Sequence, residues 1–221
     1  LSGHSTPLSE GGRARLVDGA RALGVELDGS VVDRLAVLVS LLRTWNRKIN
    51  LTAIEDERGI IERHLLDSIA VVPLVRDAAA STLVDVGSGA GFPGLVIATL
   101  LPELRVTSVE SIHKKTAFQL AVRQELGLTV EVLAQRDEAL VRAGRRFDIA
   151  VSRATFEPSV WLRHAVPLVR PEGLVIAMVT ADAAPLDAPQ ELVLLPRVSY
   201  EIGGVQRALQ PARRRTVPRG T

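Results

Sequence analysis

One glycine-rich turn and three acidic positions carry the strongest chemical signal in this chain. The stretch Leu83-Val84-Asp85-Val86-Gly87-Ser88-Gly89-Ala90-Gly91-Phe92-Pro93-Gly94 reads as a buried strand running into a turn, with glycines alternating at 87, 89 and 91. Without a Cβ, such a turn lets backbone N–H groups approach a ligand directly. Gly89 to Gly94 match G-x-G-x-x-G, the spacing that cradles a dinucleotide pyrophosphate. Asp85 does not suit that ligand, whose strand is usually wholly apolar. An acid there suits a positive centre with an amino-acid tail, whose ammonium needs oxygen acceptors. Glu110 closes the next strand, where a carboxylate can accept both hydroxyls of a ribose. Asp137 and Glu138 follow the third strand, near where an adenine amino group would need an acceptor. Each acid alone also reads as an exposed strand-end charge or a helix N-cap. Three at successive strand ends beside one turn point to a nucleotide-type cofactor.

Further residues sit where a substrate would approach. Arg153 ends a fourth strand, and strand ends of an open α/β sheet face the ligand crevice; its bland alternative is a salt bridge to Asp148 or Glu157. His64 and Asp67 lie three apart on a helix and could touch. They read better as structural or substrate-facing residues than as a catalytic dyad. Asn46 and Asn50 could hold a substrate or cap turns between helices. Arg207, Arg213, Arg214, Arg215 and Arg219 cluster at the end with no acid after Glu201. That segment reads as a solvated, mobile tail or as a contact with nucleic-acid phosphates.

The elements that position these groups change period along the chain. Residues 1–12 are polar and glycine-rich and read as frayed. Arg13 to Leu23 has helical spacing and stops at Gly24. Ser30 to Trp45 is an amphipathic helix capped by Asp28 or Ser30. Ile60, Ile61, Leu65, Ile69 and Val72 mark another helix that stops around Pro73. From Thr82 strands alternate with helices, the signature of a mostly parallel sheet. Seven strands are expected: Thr82–Val86, Leu104–Glu110, Thr129–Leu133, Asp148–Ser152, Leu174–Val179, Glu191–Val198 and Val205–Leu209. Helices fall near Gly94–Leu101, His113–Leu126, Asp137–Ala143 and Pro158–Val169, the last bent at Pro167. This gives an α/β fold with helices on both faces and an N-terminal helical extension, residues 1–78, packed on a core of residues 79–221.

Composition excludes several classes. At 221 residues and 47% apolar content the chain can bury a sizeable core, and no run reaches membrane-helix length. The start lacks the order of a signal peptide and an initiator Met, which suits a trimmed or engineered end. No cysteine means no disulfide, no thiolate chemistry and no Cys-ligated metal, so no metal is expected. This suits a cytosolic protein. A net charge of +2 excludes a bulk polyanion binder. The preference for Arg over Lys reads most simply as GC-rich coding.

The acids and glycine turn match the arrangement of class I S-adenosylmethionine-dependent methyltransferases, a Rossmann-like fold. More closely, the chain resembles the 16S ribosomal RNA guanine-N7 methyltransferase family, also called glucose-inhibited division protein B. The resemblance spans about Leu35 to Val179. It rests on Trp45-Asn46-Arg47-Lys48-Ile49-Asn50-Leu51-Thr52, Arg63-His64-Leu65-Leu66-Asp67-Ser68, the Asp85 to Gly94 stretch, and Ser152-Arg153-Ala154.

The resemblance implies that S-adenosyl-L-methionine is the cofactor, with Gly87 and Phe92 lining its pocket and Asp137 and Glu138 near the adenosine. Asp85, Gly89, Gly91, Glu110 and Arg153 complete the expected cofactor set. Arg153, Asn46 and Asn50 are the candidates to position the base; no catalytic acid or base is needed. Arg47, Lys48, Arg63, His64, Lys114, Lys115, Arg213, Arg214 and Arg215 are the RNA candidates. Lys114 and Lys115 cap a helix, hold the cofactor carboxylate or touch RNA phosphate. The implied activity is methylation of guanine N7 in the decoding-region loop of 16S RNA, by a cytoplasmic monomer acting on the small ribosomal subunit. Rival readings are a small-molecule methyltransferase, a nicotinamide-dependent dehydrogenase and a non-catalytic RNA-binding assembly protein. Two departures motivate the last: Val179-Thr180-Ala181 replaces the usual Lys-Gly after strand five, and Thr155-Phe156 follows Ala154 where the family more often has an aromatic directly.

Overall fold

The structure, a computed structural model, describes residues 8–153 and 155–216. Expectations for residues 1–7, Ala154 and Arg219 lie outside them. Helix α1 (Glu10–Ala22) begins where Ser9 Oγ accepts from Gly12 N at 2.9 Å. Helix α2 (Gly29–Asn46) begins where Asp28 accepts from Val31 N, also at 2.9 Å. Its apolar stripe of Val32, Leu35, Leu38, Val39 and Leu42 is buried.

The helix expected to stop at Pro73 is broken into four pieces. Helix α3 (Glu57–Ile60) passes into a π-helical turn (Ile61–Leu66), then α4 (Asp67–Ile69) and α5 (Val72–Asp77). Pro73 starts α5 instead of ending its predecessor. Its missing N–H costs nothing in a first helical turn.

The sheet comprises β1 (Thr82–Val86), β2 (Arg105–Val109), β3 (Val130–Leu133), β4 (Phe147–Arg153), β5 (Val169–Thr180), β6 (Leu192–Leu194), β7 (Val198–Ile202) and β8 (Val205–Arg214). Its order is β3-β2-β1-β4-β5-β8-β6, with β7 paired to β8. The first five strands are parallel, and β8 runs antiparallel between β5 and β6. There are thus eight strands among the described residues, where the sequence suggests seven. The expected strand Glu191–Val198 is split around Pro196, which has no ladder N–H. The last strand continues past Leu209 to Arg214, so Arg213 and Arg214 belong to the sheet and not to a loose tail.

The order in which strands are laid down reverses between β1 and β4, and ligands of open α/β sheets bind above that switch point. Helices α6 (Gly94–Leu100) and α7 (His113–Leu126) share a core with Leu83, Val106, Ile149 and Ile176 on one face. Helices α1 and α2 and the π-helical turn join that core. Helices α8 (Glu138–Arg142) and α9 (Pro158–Ala165) cover the other face, packed on Val84, Val86, Ala150 and Val175. The alternation of side chains along β1 explains the sorting. Leu83 and Asp85 face α6, while Val84 and Val86 face α9. Among the described residues no helix is long and apolar enough to cross a membrane.

Candidate functional site

The turn after β1 is held from below. Gly87 N and Ser88 N both donate to Val109 O, at 2.9 and 3.1 Å. Gly87, Gly89 and Gly91 adopt φ of +68°, +58° and +86°, a region that strains any residue with a Cβ. A Cβ on Gly87 would collide with the Thr155 side chain, and one on Gly91 with Leu95. On Gly89 it would meet no atom within 4 Å. Among the described residues the space over the Gly89 Cα is therefore open, while its N–H is held by Glu110. Gln119 braces the turn from α7. Its amide donates to Ser88 Oγ and Gly89 O, each at 2.8 Å, and its oxygen accepts from Ser108 Oγ at 2.6 Å.

Asp85 is buried beneath this turn. Oδ2 accepts from Gly94 N at 2.8 Å, tying β1 to the start of α6. Oδ1 is buried with no partner among the described residues. Burial pushes the carboxyl up to about 7; the Gly94 hydrogen bond and the Arg153 charge oppose that rise, and Glu110 adds to it. Glu110 accepts Gly89 N on one oxygen and Ile112 N on the other, both at 2.9 Å. Each oxygen keeps a second lone pair. Asp137 is buried, with His164 Nδ1 3.5 Å from Oδ2. A cavity of about 430 Å³ runs along these strand ends, walled by Gly87, Glu110, Ile112, Lys115, Asp137 and Glu138, with Thr155 and Phe156 across from them. A wider groove of about 790 Å³ lies at the opposite, N-terminal ends of the strands. It lacks any glycine turn, and ligands of this fold bind at the C-terminal strand ends.

A carboxylate oxygen without a partner among the described residues, open space over the Gly89 Cα and acids at successive strands fit a cationic amino-acid nucleoside. They do not fit a pyrophosphate, which needs positive and not negative neighbours.

Beside this cavity stands a charged cluster. Arg153 reaches from β4 across to the π-helical turn. Nη1 donates to Arg63 O at 2.6 Å and to Asp67 Oδ2 at 3.3 Å, and Nη2 lies 3.2 Å from His64 Nδ1. Its guanidinium carbon is 5.7 Å from the Phe92 ring centre, and His64 stacks on that ring at 4.7 Å. Asp67 is buried and also accepts Tyr200 Oη at 2.7 Å and Arg207 Nη1 at 3.2 Å.

The sequence model of rRNA small subunit methyltransferase G matches residues 32–189. The chain belongs to the rRNA small subunit methyltransferase G family. A ribosomal RNA small subunit methyltransferase G from Burkholderia multivorans is 44% identical over 167 residues, 74% of this chain and 73% of the relative. One from Chromohalobacter salexigens is 40% identical over 214 residues, 95% of this chain and 99% of the relative. Among solved structures, the O-methyltransferase from Bacillus cereus in complex with SAH aligns at a TM-score of 0.59. It is 16% identical and covers 86% of this chain and 92% of its own. TrmN from Thermus thermophilus aligns at 0.56 with 21% identity, covering 70% of this chain and 53% of its own. These two likenesses concern the fold, which is that of a Rossmann-like class I methyltransferase. The nicotinamide-dependent dehydrogenase reading falls with the family assignment.

Against the family's expected site, the structure sorts the candidates. Gly87, Glu110, Lys115, Asp137 and Glu138 share the cavity wall, with Asp85, Gly89 and Gly91 in or under the turn. Phe92 does not line that cavity; its ring is buried against His64. His64 is not exposed to RNA either. It is buried, bonded to Thr52 Oγ1 at 2.9 Å, and held down to about 3 by burial and by the charges of Arg153 and Arg63. Nor does it pair with Asp67, since both turn to Arg153. Arg153 pairs with Asp67, not with Asp148 or Glu157.

Asn46 caps the following turn through Leu51 N, Thr52 N and Thr52 O, at 2.8, 3.0 and 2.9 Å. These bonds occupy its amide and argue against a base-holding role. Asn50, Arg47, Lys48, Arg63 and Lys114 are exposed. Lys114 and Lys115 sit in the first turn of α7, where the helix dipole disfavours a cation, so capping does not explain them. Arg213 and Arg214 lie at the far end of the sheet, donating to Glu172 O and Val169 O. Arg215 is exposed beside them. Nothing in the sequence brings Gln119 or Tyr200 to the site; Arg207 reads only as part of a basic tail, and Phe156 as a departure after Ala154 near where a base would enter. A lone tyrosine in a two-strand hairpin is the available signal for Tyr200.

Proposed function

We propose that this methyltransferase transfers a methyl group from S-adenosyl-L-methionine to N7 of a guanine in the decoding-region loop of 16S ribosomal RNA, acting as a cytoplasmic monomer on the small ribosomal subunit. The observation that carries the cofactor side is the buried Asp85, whose Oδ1 has no partner among the described residues beneath the glycine turn. Family membership supports the RNA side.

When bound, S-adenosyl-L-methionine supplies a methyl carbon activated by a positive sulfonium. Asp85 and the glycine turn would hold its amino-acid end, Glu110 its ribose and Asp137 with Glu138 its adenine end. Neutral guanine has a free lone pair at N7, so attack on the methyl needs no general base. The protein's tasks are to orient the base, desolvate it and hold it near attack distance. Unstacking the base costs a few kcal/mol.

Arg153 is the residue we assign to the base. Its protein contacts leave Nε–H and one Nη2 N–H without an acceptor among the described residues. Guanine offers O6 and N7 on the same edge. N7 must stay open to the methyl, so the free donors serve O6. The exposed Arg47, Lys48 and Arg63 are the residues we assign to RNA phosphate.

The test is transfer of tritium from labelled S-adenosyl-L-methionine to 30S particles from a strain lacking the enzyme, followed by mapping of the modified base. Label at guanine N7 of 16S RNA is expected. Cofactor binding without transfer would leave an assembly protein, and transfer to a metabolite without RNA a small-molecule enzyme.

A further inference from the structure

The hairpin of β7 and β8 lies beyond the 32–189 segment matched by the family, yet it reaches the Arg153 cluster. Tyr200 and Arg207 are cross-strand partners in that hairpin. Both turn to one carboxylate oxygen, Asp67 Oδ1, at 2.7 and 3.2 Å. The other oxygen, Oδ2, accepts Arg153. Asp67 is therefore a bridge, with the C-terminal hairpin on one oxygen and Arg153 on the other. The hairpin tip is seated as well, because a Cβ on Gly203 would run into the Glu62 carboxylate on the π-helical turn.

We propose that Tyr200 and Arg207 are positioning residues that fix the orientation of Arg153 through Asp67. A buried carboxylate with a single partner can rotate about χ2 and carry that partner with it. Tyr200 and Arg207 hold Oδ1 from the hairpin side, which fixes the plane of the carboxylate and the direction of Oδ2. Beside Asp67, the Tyr200 phenol is pushed well above its ordinary range by burial and by the carboxylate's charge, so it remains a donor at every physiological pH. Arg207 adds a second donor from the same hairpin. The Tyr200 side of the latch is thus not a pH switch. On the far side, Arg63 O and His64 Nδ1 complete the cage around the guanidinium. Its free donors are thereby aimed along one direction. Small angular errors at a base-holding residue act on the chemical step more than on binding.

This inference rests on the assignment of Arg153 to the base, and a double-mutant cycle tests the two separately. The full-length protein is assayed with 30S particles and S-adenosyl-L-methionine, as wild type, Tyr200→Phe, Arg153→Lys and the double variant. Tyr200→Phe removes one hydroxyl, and about a ten-fold fall in kcat is expected with the cofactor Kd by calorimetry unchanged. In the Arg153→Lys background, Tyr200→Phe should cost less than about two-fold, because its effect passes through the guanidinium. Arg207→Lys should reproduce the kcat loss partly, and supplies a second reading if Tyr200→Phe expresses poorly. Full additivity of the two substitutions, or a Tyr200→Phe enzyme with wild-type kcat, overturns the proposal while leaving Arg153 in place. An Arg153→Lys enzyme with wild-type kcat overturns both.

Discussion

Arg153 Nη2 lies 3.2 Å from His64 Nδ1, and this contact fixes the tautomer of the imidazole. A guanidinium only donates, so Nδ1 must accept and the ring proton must sit on Nε2. Nε2 then donates to Thr52 Oγ1 at 2.9 Å. The arrangement has no place for a second ring proton. His64 is accordingly held neutral, down to about 3.

A pH dependence of stability follows, with a definite sign. The unfolded chain takes up a proton at His64 near pH 6.5, while the folded chain resists until about 3. Stability is therefore full above pH 6.5 and falls as pH drops through that window. Asp85 acts in the opposite sense over the same range, so the reading is the difference between wild type and His64→Gln, which cannot titrate. From about pH 7 to about pH 4 the wild type should lose urea midpoint relative to His64→Gln, although the variant starts lower through lost stacking on Phe92. Parallel curves would show that His64 is not the group responsible.

Asp85 titrates in the opposite sense. Its carboxyl is raised to about 7 in the fold against 3.8 in an unstructured chain, so the folded state holds a proton that the unfolded state releases. Its contribution is present below pH 3.8 and is lost as pH rises through 7. Asp85→Asn keeps an oxygen for Gly94 N and removes the ionisation. At about pH 8 this variant should be more stable than wild type, by an amount on the order of a few kcal/mol. Its affinity for S-adenosyl-L-methionine should fall about ten-fold, because the charge offered to the ammonium is gone. Calorimetry and urea melts at that pH read both quantities, and a variant with undiminished affinity would remove Asp85 from the pocket.

Gly87 and Gly89 separate backbone strain from ligand clash. Both have positive φ, so alanine at either costs about 1 kcal/mol of strain. At Gly87 the new Cβ also meets Thr155, whereas at Gly89 it meets nothing. Gly89→Ala should therefore melt within a few degrees of wild type. It should still bind S-adenosyl-L-methionine at least about ten-fold more weakly, since its methyl enters the space left for the ligand. Gly87→Ala should lose more stability than Gly89→Ala. Equal cofactor affinity in Gly89→Ala and wild type would mean that the turn does not touch the ligand.

The glycine turn and the acids are legible in the sequence because their signal is local. A strand, a turn and a helix start fall within a dozen residues, and Glu110 and Asp137 follow strands with clear apolar runs. Arg153 is legible through topology, as a strand-end residue. His64 escapes a helical reading for a physical reason. A π-helical turn at Ile61–Leu66 takes an extra residue per turn, so a polar position that ordinary helical spacing puts outside is rotated into the core. The partnership of Tyr200 and Arg207 with Asp67 cannot be read, since they meet it across 133 and 140 residues and no periodicity encodes such a pairing; Arg207 reads only as part of a basic tail. Gln119 looks like a surface polar residue of α7, and its burial follows only once α7 packs under the turn.

The two basic groups proposed for RNA should behave differently toward salt. Arg47 and Lys48 are exposed at the end of α2, next to the turn that Asn46 closes. Arg214 instead donates to Val169 O at the far end of the sheet, and its charge is resisted by burial and by Arg146 nearby. If RNA approaches over Arg153, each of Arg47→Ala and Lys48→Ala should reduce the slope of log Kobs against log salt by about 1 for 30S particles. Arg214→Ala should leave that slope unchanged and lower the melting temperature instead, because Val169 O loses its donor. Arg213, bonded to Glu172 O at 3.0 Å, should follow Arg214. Fluorescence titrations at several salt concentrations give the slopes, with a melt on each variant as the stability reading. A reduced slope in Arg214→Ala with an unchanged melt would place RNA at the far end and reverse the docking direction inferred from Arg153.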